Sequence, residues 1–183
     1  ADYPQGLVRT RELSDGRRVT IRPIRPGDVE IVQDFVRHLS QESRYSRFMS
    51  QLNELSASKL KYFTDIDYDR HLALIAVADA GAEEIEIGVA RYVGLPQPES
   101  CEFAIAVDDA WQGSGVAGIL MTTLMDAARE RGFQSMNGTV LATNHRMLCF
   151  VRRLGFTVRG DAEDPGTVAV GSCWRRITTP TSL

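Results

Sequence analysis

The apolar positions change period several times along the chain, and each change marks an element. Ile31, Val32, Phe35, Val36 and Leu39 recur at helical spacing after the start signal Pro26-Gly27-Asp28, which predicts a helix over 28–39. Before it, Val19 and Ile21 share a face of a strand expected over 19–25, and residues 1–17 carry turn signals and an edge strand. More helix is expected over 42–50 and 56–63. Leu72 to Val77 is a continuous apolar run, as in a strand buried on both faces. After a hairpin turn at Gly81-Ala82, Ile85, Ile87 and Val89 alternate with Glu84, Glu86 and Gly88, which predicts a half-buried strand. Another strand is expected over 101–107. Val116, Ile119, Leu120, Leu124, Ala127 and Ala128 then lie on one helical stripe between 115 and 131, closed by Gly132. A strand over 136–142 leads to a short helix over 144–154 with Met147, Leu148, Val151 and Leu154 inward. Gly155-Phe156 and Asp164-Pro165-Gly166 punctuate two last strands, 156–159 and 167–177. The order β-α-α-β-β-β-α-β-α-β-β implies an α/β fold of the α+β kind, a mixed and largely antiparallel central sheet flanked by helices. Residues 1–17 read as a lead-in and 18–183 as a single domain.

Composition narrows the classes. Hydrophobic residues make up 43% and charged residues 25% of 183, which is globular usage. A net charge of -3 and a pI near 5.7 give no electrostatic ground for a nucleic-acid partner. No apolar run approaches the roughly 20 residues that span a bilayer, and no signal-peptide pattern opens the chain, so no membrane partner is expected. Cys101, Cys149 and Cys173 are odd in number and lack metal-ligand spacing. They imply a reducing compartment and no metal, with Cys149 read as a buried core thiol. A cytoplasmic enzyme of bacterial type is the expectation. Ala1 rather than Met stands first, as in a processed chain or a piece of a longer one.

The most informative segment is Val107-Asp108-Asp109-Ala110-Trp111-Gln112-Gly113-Ser114-Gly115-Val116-Ala117-Gly118. A strand ends, a glycine-rich turn follows, and an amphipathic helix begins. Unpaired N–H groups at a helix start attract anions, and small residues at 113–115 let a phosphate approach the backbone. Two motifs compete here. Gly113 to Gly118 satisfies G-x-G-x-x-G, but the acidic residue required at the end of the next strand is missing, where Leu141-Ala142-Thr143-Asn144 stands. Five residues between Val107 and Gly113 also make the turn too loose for that motif. No Gly-Lys-Ser/Thr is present, which excludes a nucleoside-triphosphate loop.

Gln112, Gly115 and Ala117 instead meet Q/R-x-x-G-x-G/A, and the segment resembles the pyrophosphate loop of the GNAT (Gcn5-related N-acetyltransferase) superfamily. Val107 at a strand end, Asn144, Gly155-Phe156 and the element order extend the resemblance over nearly the whole chain. It implies acetyl-coenzyme A as co-substrate. Its sites would be the main chain of Ile105, Ala106 and Val107, the loop Gln112, Gly113, Ser114, Gly115, Val116 and Ala117, and Asn144, which is also a helix N-cap by type. Upstream, Tyr3-Pro4, Asp15-Gly16, residues 20–26, Ser43-Arg44-Tyr45-Ser46-Arg47-Phe48 and Asp67-Tyr68-Asp69 resemble the acetyltransferase domain of bacterial Pat-type protein-lysine acetyltransferases. That group often joins the domain to an acyl-CoA-synthetase-like or cyclic-nucleotide-binding domain. Neither accompanies it in this sequence, so regulation by those ligands is not carried over.

An amine must shed a proton before it attacks a thioester, so a positioned base is useful. Glu102 alternates with Cys101 and Phe103 and shares its strand face with the small residues Ala104 and Ala106, which leave room for a substrate. The resemblance places a glutamate base on this strand. Many relatives carry a tyrosine acid in the last helix; Val151 stands there, and no general acid is assigned. His71 reads as a structural histidine, His145 as solvent-exposed, Trp111 as a wedge for the loop, and Asp65, Asp67 and Asp69 as a solvated turn. The expected activity is acetyl transfer to a primary amine, a protein lysine before a small-molecule amine. A non-catalytic acyl-coenzyme A sensor is the reading from another class. Sequence leaves the oligomeric state and acyl-chain preference open.

Overall fold

The computed structural model describes residues 2–39, 54–160 and 166–174. The helix expected over 42–50, the segment Ser43–Phe48 and positions 175–177 of the last strand lie outside the described residues. Eight strands form one sheet: β1 (Arg9–Glu12), β2 (Arg18–Pro23), β3 (His71–Ala80), β4 (Glu83–Gly94), β5 (Ser100–Val107), β6 (Ser135–Leu141), β7 (Thr157–Val158) and β8 (Thr167–Cys173). Their order is β1-β2-β3-β4-β5-β6-β8-β7, and every pairing is antiparallel except β5 with β6. The mixed, largely antiparallel sheet is therefore as expected, with β1 as its outer strand.

Four α-helices accompany it among the described residues: α1 (Val29–His38), α2 (Ala57–Thr64), α3 (Val116–Glu130) and α4 (His145–Arg153). Two buried clusters separate them. Val32, Phe35, Val36 and Phe63 of α1 and α2 pack with Ala73, Ile75, Val77, Val89 and Ala106. Val116, Leu120, Leu124 and Ala128 of α3 pack with Leu72, Leu74, Ala76, Tyr92 and Phe103. Successive β3 residues thus enter opposite clusters, which is why its sequence is apolar without alternation. None of these helices is long and apolar enough to cross a membrane.

β4 corrects the sequence reading. It runs to Gly94, past Val89, the last position of the expected alternation. Its alternation also breaks: the pairing shifts from Ala76↔Gly88 to Val77↔Glu86, leaving Ile87 as an extra residue. Such a bulge reverses which face each following side chain meets. Ile87 joins the α3-side cluster and Val89 the α1-side cluster, Ile85 is exposed, and Glu86 is only 6% exposed. Burial pushes the Glu86 carboxyl well above the ordinary carboxylate range.

Candidate active site

β5 and β6 pair through Ser100↔Ser135, Cys101↔Met136 and Glu102↔Asn137, and no further. A wedge sits at the point of separation. The Phe103 ring lies over Gly138, where any Cβ would overlap it, and packs on Phe156 at a centroid distance of 5.0 Å. On its other side β5 stays paired with β4 to Gly88↔Val107, and Asp108 N–H donates to Ile87 O at 2.9 Å. Backbone groups alternate in direction along a strand. Ile105 and Val107 therefore turn theirs into the gap that β6 leaves open.

The glycine turn closes the wide end of this gap. Asp108 Oδ1 accepts from Ala110 N–H at 2.9 Å, and a short turn, Asp109–Trp111, leads to Gly113 and Gly115 with φ of 76° and 92°. Both lie in the left-handed region, where glycine is unstrained. α3 starts immediately after. The amides of Gly113, Gly115, Ala117 and Gly118 donate to no acceptor among the described residues. They form an anion cradle at the positive end of a helix.

Gap and cradle together make a cavity of about 940 Å³ lined by Ile105, Ala106, Val107, Gln112, Gly113, Gly115, Ala117 and Asn144, all expected from sequence. Ser114 and Val116 are not in its wall. Ser114 is 3% exposed with its hydroxyl bonded to Trp111 O, and Val116 N–H is used by Ser114 Oγ at 3.4 Å. Asn144 does cap α4, accepting from Met147 N–H at 3.1 Å. The sequence missed one wall, Arg146, Met147, Phe150 and Arg153 of α4. Its signal was present as the spacing i, i+1, i+4, i+7, one helical face. Val151 points into the core, so the side chain beside the cavity is Phe150. Cys149 is exposed, against the buried thiol expected.

On the opposite sheet face Glu102 is 8% exposed, and Ala104 beside it is only half-buried, an opening in the middle of a central strand. Arg91 stands across from Ala104, and Val93 joins His71 to Glu102 in one row. Arg91 Nη1 donates to His71 Nε2 at 2.8 Å and to Phe63 O at 3.2 Å. Burial, then the Arg91 charge, hold His71 down to a pKa of about 4, so it is a neutral structural acceptor. Among the described residues no cluster of three His, Cys, Asp or Glu is placed to hold a metal ion.

The cradle, the strand gap and the cation Arg146 beside Gln112 suit a diphosphate with a long amide-bearing arm. The acetyltransferase (GNAT) domain family matches residues 18–157. The chain belongs to this family. An acetyltransferase of Pseudomonas aeruginosa is 36% identical over 152 residues, 83% of this chain and 82% of that one. Acetyltransferase Pat of Mycolicibacterium smegmatis is 32% identical over 145 residues, 79% of this GNAT chain but 43% of the relative. The crystal structure of the GNAT domain of S. lividans PAT superposes with a TM-score of 0.82 at 29% identity, covering 94% of this chain and 99% of that domain. The protein is thus a GNAT acetyltransferase that uses acetyl-coenzyme A.

Proposed function

We propose that this GNAT protein acetylates a primary amine, a protein lysine in the first place, by direct attack on the thioester with Glu102 as general base. One observation carries the reading: the gap between β5 and β6 begins at the last rung, Glu102↔Asn137, beside the opening over Ala104. A donor lying in the gap and an acceptor entering from the α1–α2 side meet at that carboxylate. A lysine ammonium with a pKa near 10.4 is neutral in roughly one molecule in a few thousand at pH 7, so proton removal is worth about 10²–10⁴-fold.

The loop Gln112 to Ala117 holds the diphosphate, through the amides of Gly113, Gly115 and Ala117. Ser114 and Val116 shape the loop from inside. Ile105, Ala106 and Val107 offer main-chain bonds to the pantetheine arm, and a free N–H there also stabilises the thioester oxygen as charge develops. Asn144 adds a polar contact from the wall. The likeness to the PAT and Pat relatives supports lysine as the acceptor.

The test is thiol release from acetyl-coenzyme A with a panel of lysine peptides and free amines. Glu102→Gln is expected to lower turnover by about 10²–10⁴-fold while calorimetry shows acetyl-coenzyme A binding retained. Unchanged turnover would remove Glu102 as base. Product from free amines alone would replace lysine by a small acceptor, and binding without turnover on any amine would make the protein a sensor.

A further inference from the structure

α4 runs the length of the coenzyme cavity and carries a cation at each end. At its start Arg146 Nη1 donates to Gln112 Oε1 at 2.9 Å, beside Gly113 of the anion cradle. Arg153, its last residue, lies seven residues on, about 10 Å along the axis. That end is level with the point where the strands part. Thr157 pairs with Gly171, Gly171 with Asn137, and Asn137 with Glu102. Arg146 and Arg153 both line the cavity, with Met147 and Phe150 between them. Arg153 is solvent-accessible, and the structure gives it no hydrogen bond or ion pair with the described residues. Asp109 and Arg146 belong to the loop end, so among the described residues Arg153 is the one ionisable side chain lining the far end.

The chemistry needs a charge there. Attack by the amine forms a C–N bond at the acyl carbon and breaks the C–S bond. The amine proton goes to Glu102, and the electron pair of the broken bond stays on sulfur as a thiolate. A guanidinium does not give up its proton at neutral pH, but it lowers the energy of an adjacent anion. We propose that Arg153 is a catalytic residue that stabilises the departing coenzyme A thiolate by its charge, with no proton transfer. The assignment rests on the acetyl-coenzyme A reading above.

The first arm of the test reads the sulfur directly and needs no acceptor. Free coenzyme A is bound to the full chain, and its thiolate absorbance is followed from neutral to alkaline pH. Difference spectra against protein alone cancel Cys149 and Cys173. In the wild type the bound thiol is expected to titrate about one unit lower than in solution, roughly tenfold more thiolate at a given pH. Arg153→Gln should abolish that shift and lower kcat about tenfold with KM for acetyl-coenzyme A unchanged; Arg153→Lys should restore much of both. Identical titrations in wild type and Arg153→Gln, each with coenzyme A shown bound by calorimetry, overturn the proposal. So does a variant that loses coenzyme affinity while the thiol titrates unchanged, since Arg153 would then grip a phosphate. Wild-type protein that binds no coenzyme A would instead sink the acetyl-coenzyme A reading itself.

Discussion

β3 and β4 share ten paired positions, whereas β5 and β6 share three. The two joints belong to one sheet and do opposite work. Along β3 and β4 the ladder is nearly complete and β3 is apolar on both faces from Leu72 to Ala78, so that half is a platform. Along β5 and β6 the ladder stops early, and backbone groups that a normal sheet would consume are left open to the cavity. The contrast shows that this site depends on withheld pairing as much as on any side chain.

The largest effect expected on that contrast comes from the platform. Ile75 is fully buried under α1 and α2, and Ile75→Ala should cost about 2–5 kcal/mol, read from the urea midpoint. Val140→Ala in the cavity wall should cost clearly less stability and weaken acetyl-coenzyme A binding instead. Equal stability losses would erase the distinction between the two halves.

His71 sharpens it through pH. Its folded pKa of about 4 lies below the ordinary 6.5, so the unfolded chain binds the proton more readily. Stability is complete above about pH 6.5 and falls as pH drops toward 4, by about 3 kcal/mol from this group. Urea titrations across that range should show the slope, and His71→Gln, which keeps an acceptor for Arg91, should flatten it.

The smallest effect belongs to the open side. Asn144→Ala removes the α4 cap and should cost about 1 kcal/mol, with a measurable loss of coenzyme affinity because the same residue lines the cavity. A stability loss with affinity untouched would make Asn144 a cap alone.

Much of this was legible in the residues. The double-sided burial of β3 follows from its unbroken apolar run, and the anion cradle from glycines placed at a strand-to-helix turn. The second half of β4 was not, because Arg91 is buried through partners far away in sequence, Phe63 and His71. Nor was the Ile87 bulge, which depends on how β3 and β4 align rather than on either strand alone. Loop spacing named Gln112 to Ala117 as a unit. It did not say that Ser114 and Val116 turn inward, since that follows from the left-handed backbone at 113 and 115. Reading α4 for its buried stripe hid the adjacent stripe that lines the cavity.

A sheet parted along part of its height has the outline of a plate with a crack, and everything beyond the tip is left unpaired across the crack. Here the tip is the last rung, Glu102 with Asn137, wedged by Phe103 over Gly138. The peptide that carries the Glu102 carboxylate is thus also the last one that holds the two strands together. The mouth of the cleft and the place of the Glu102 carboxylate are therefore set by the same rung.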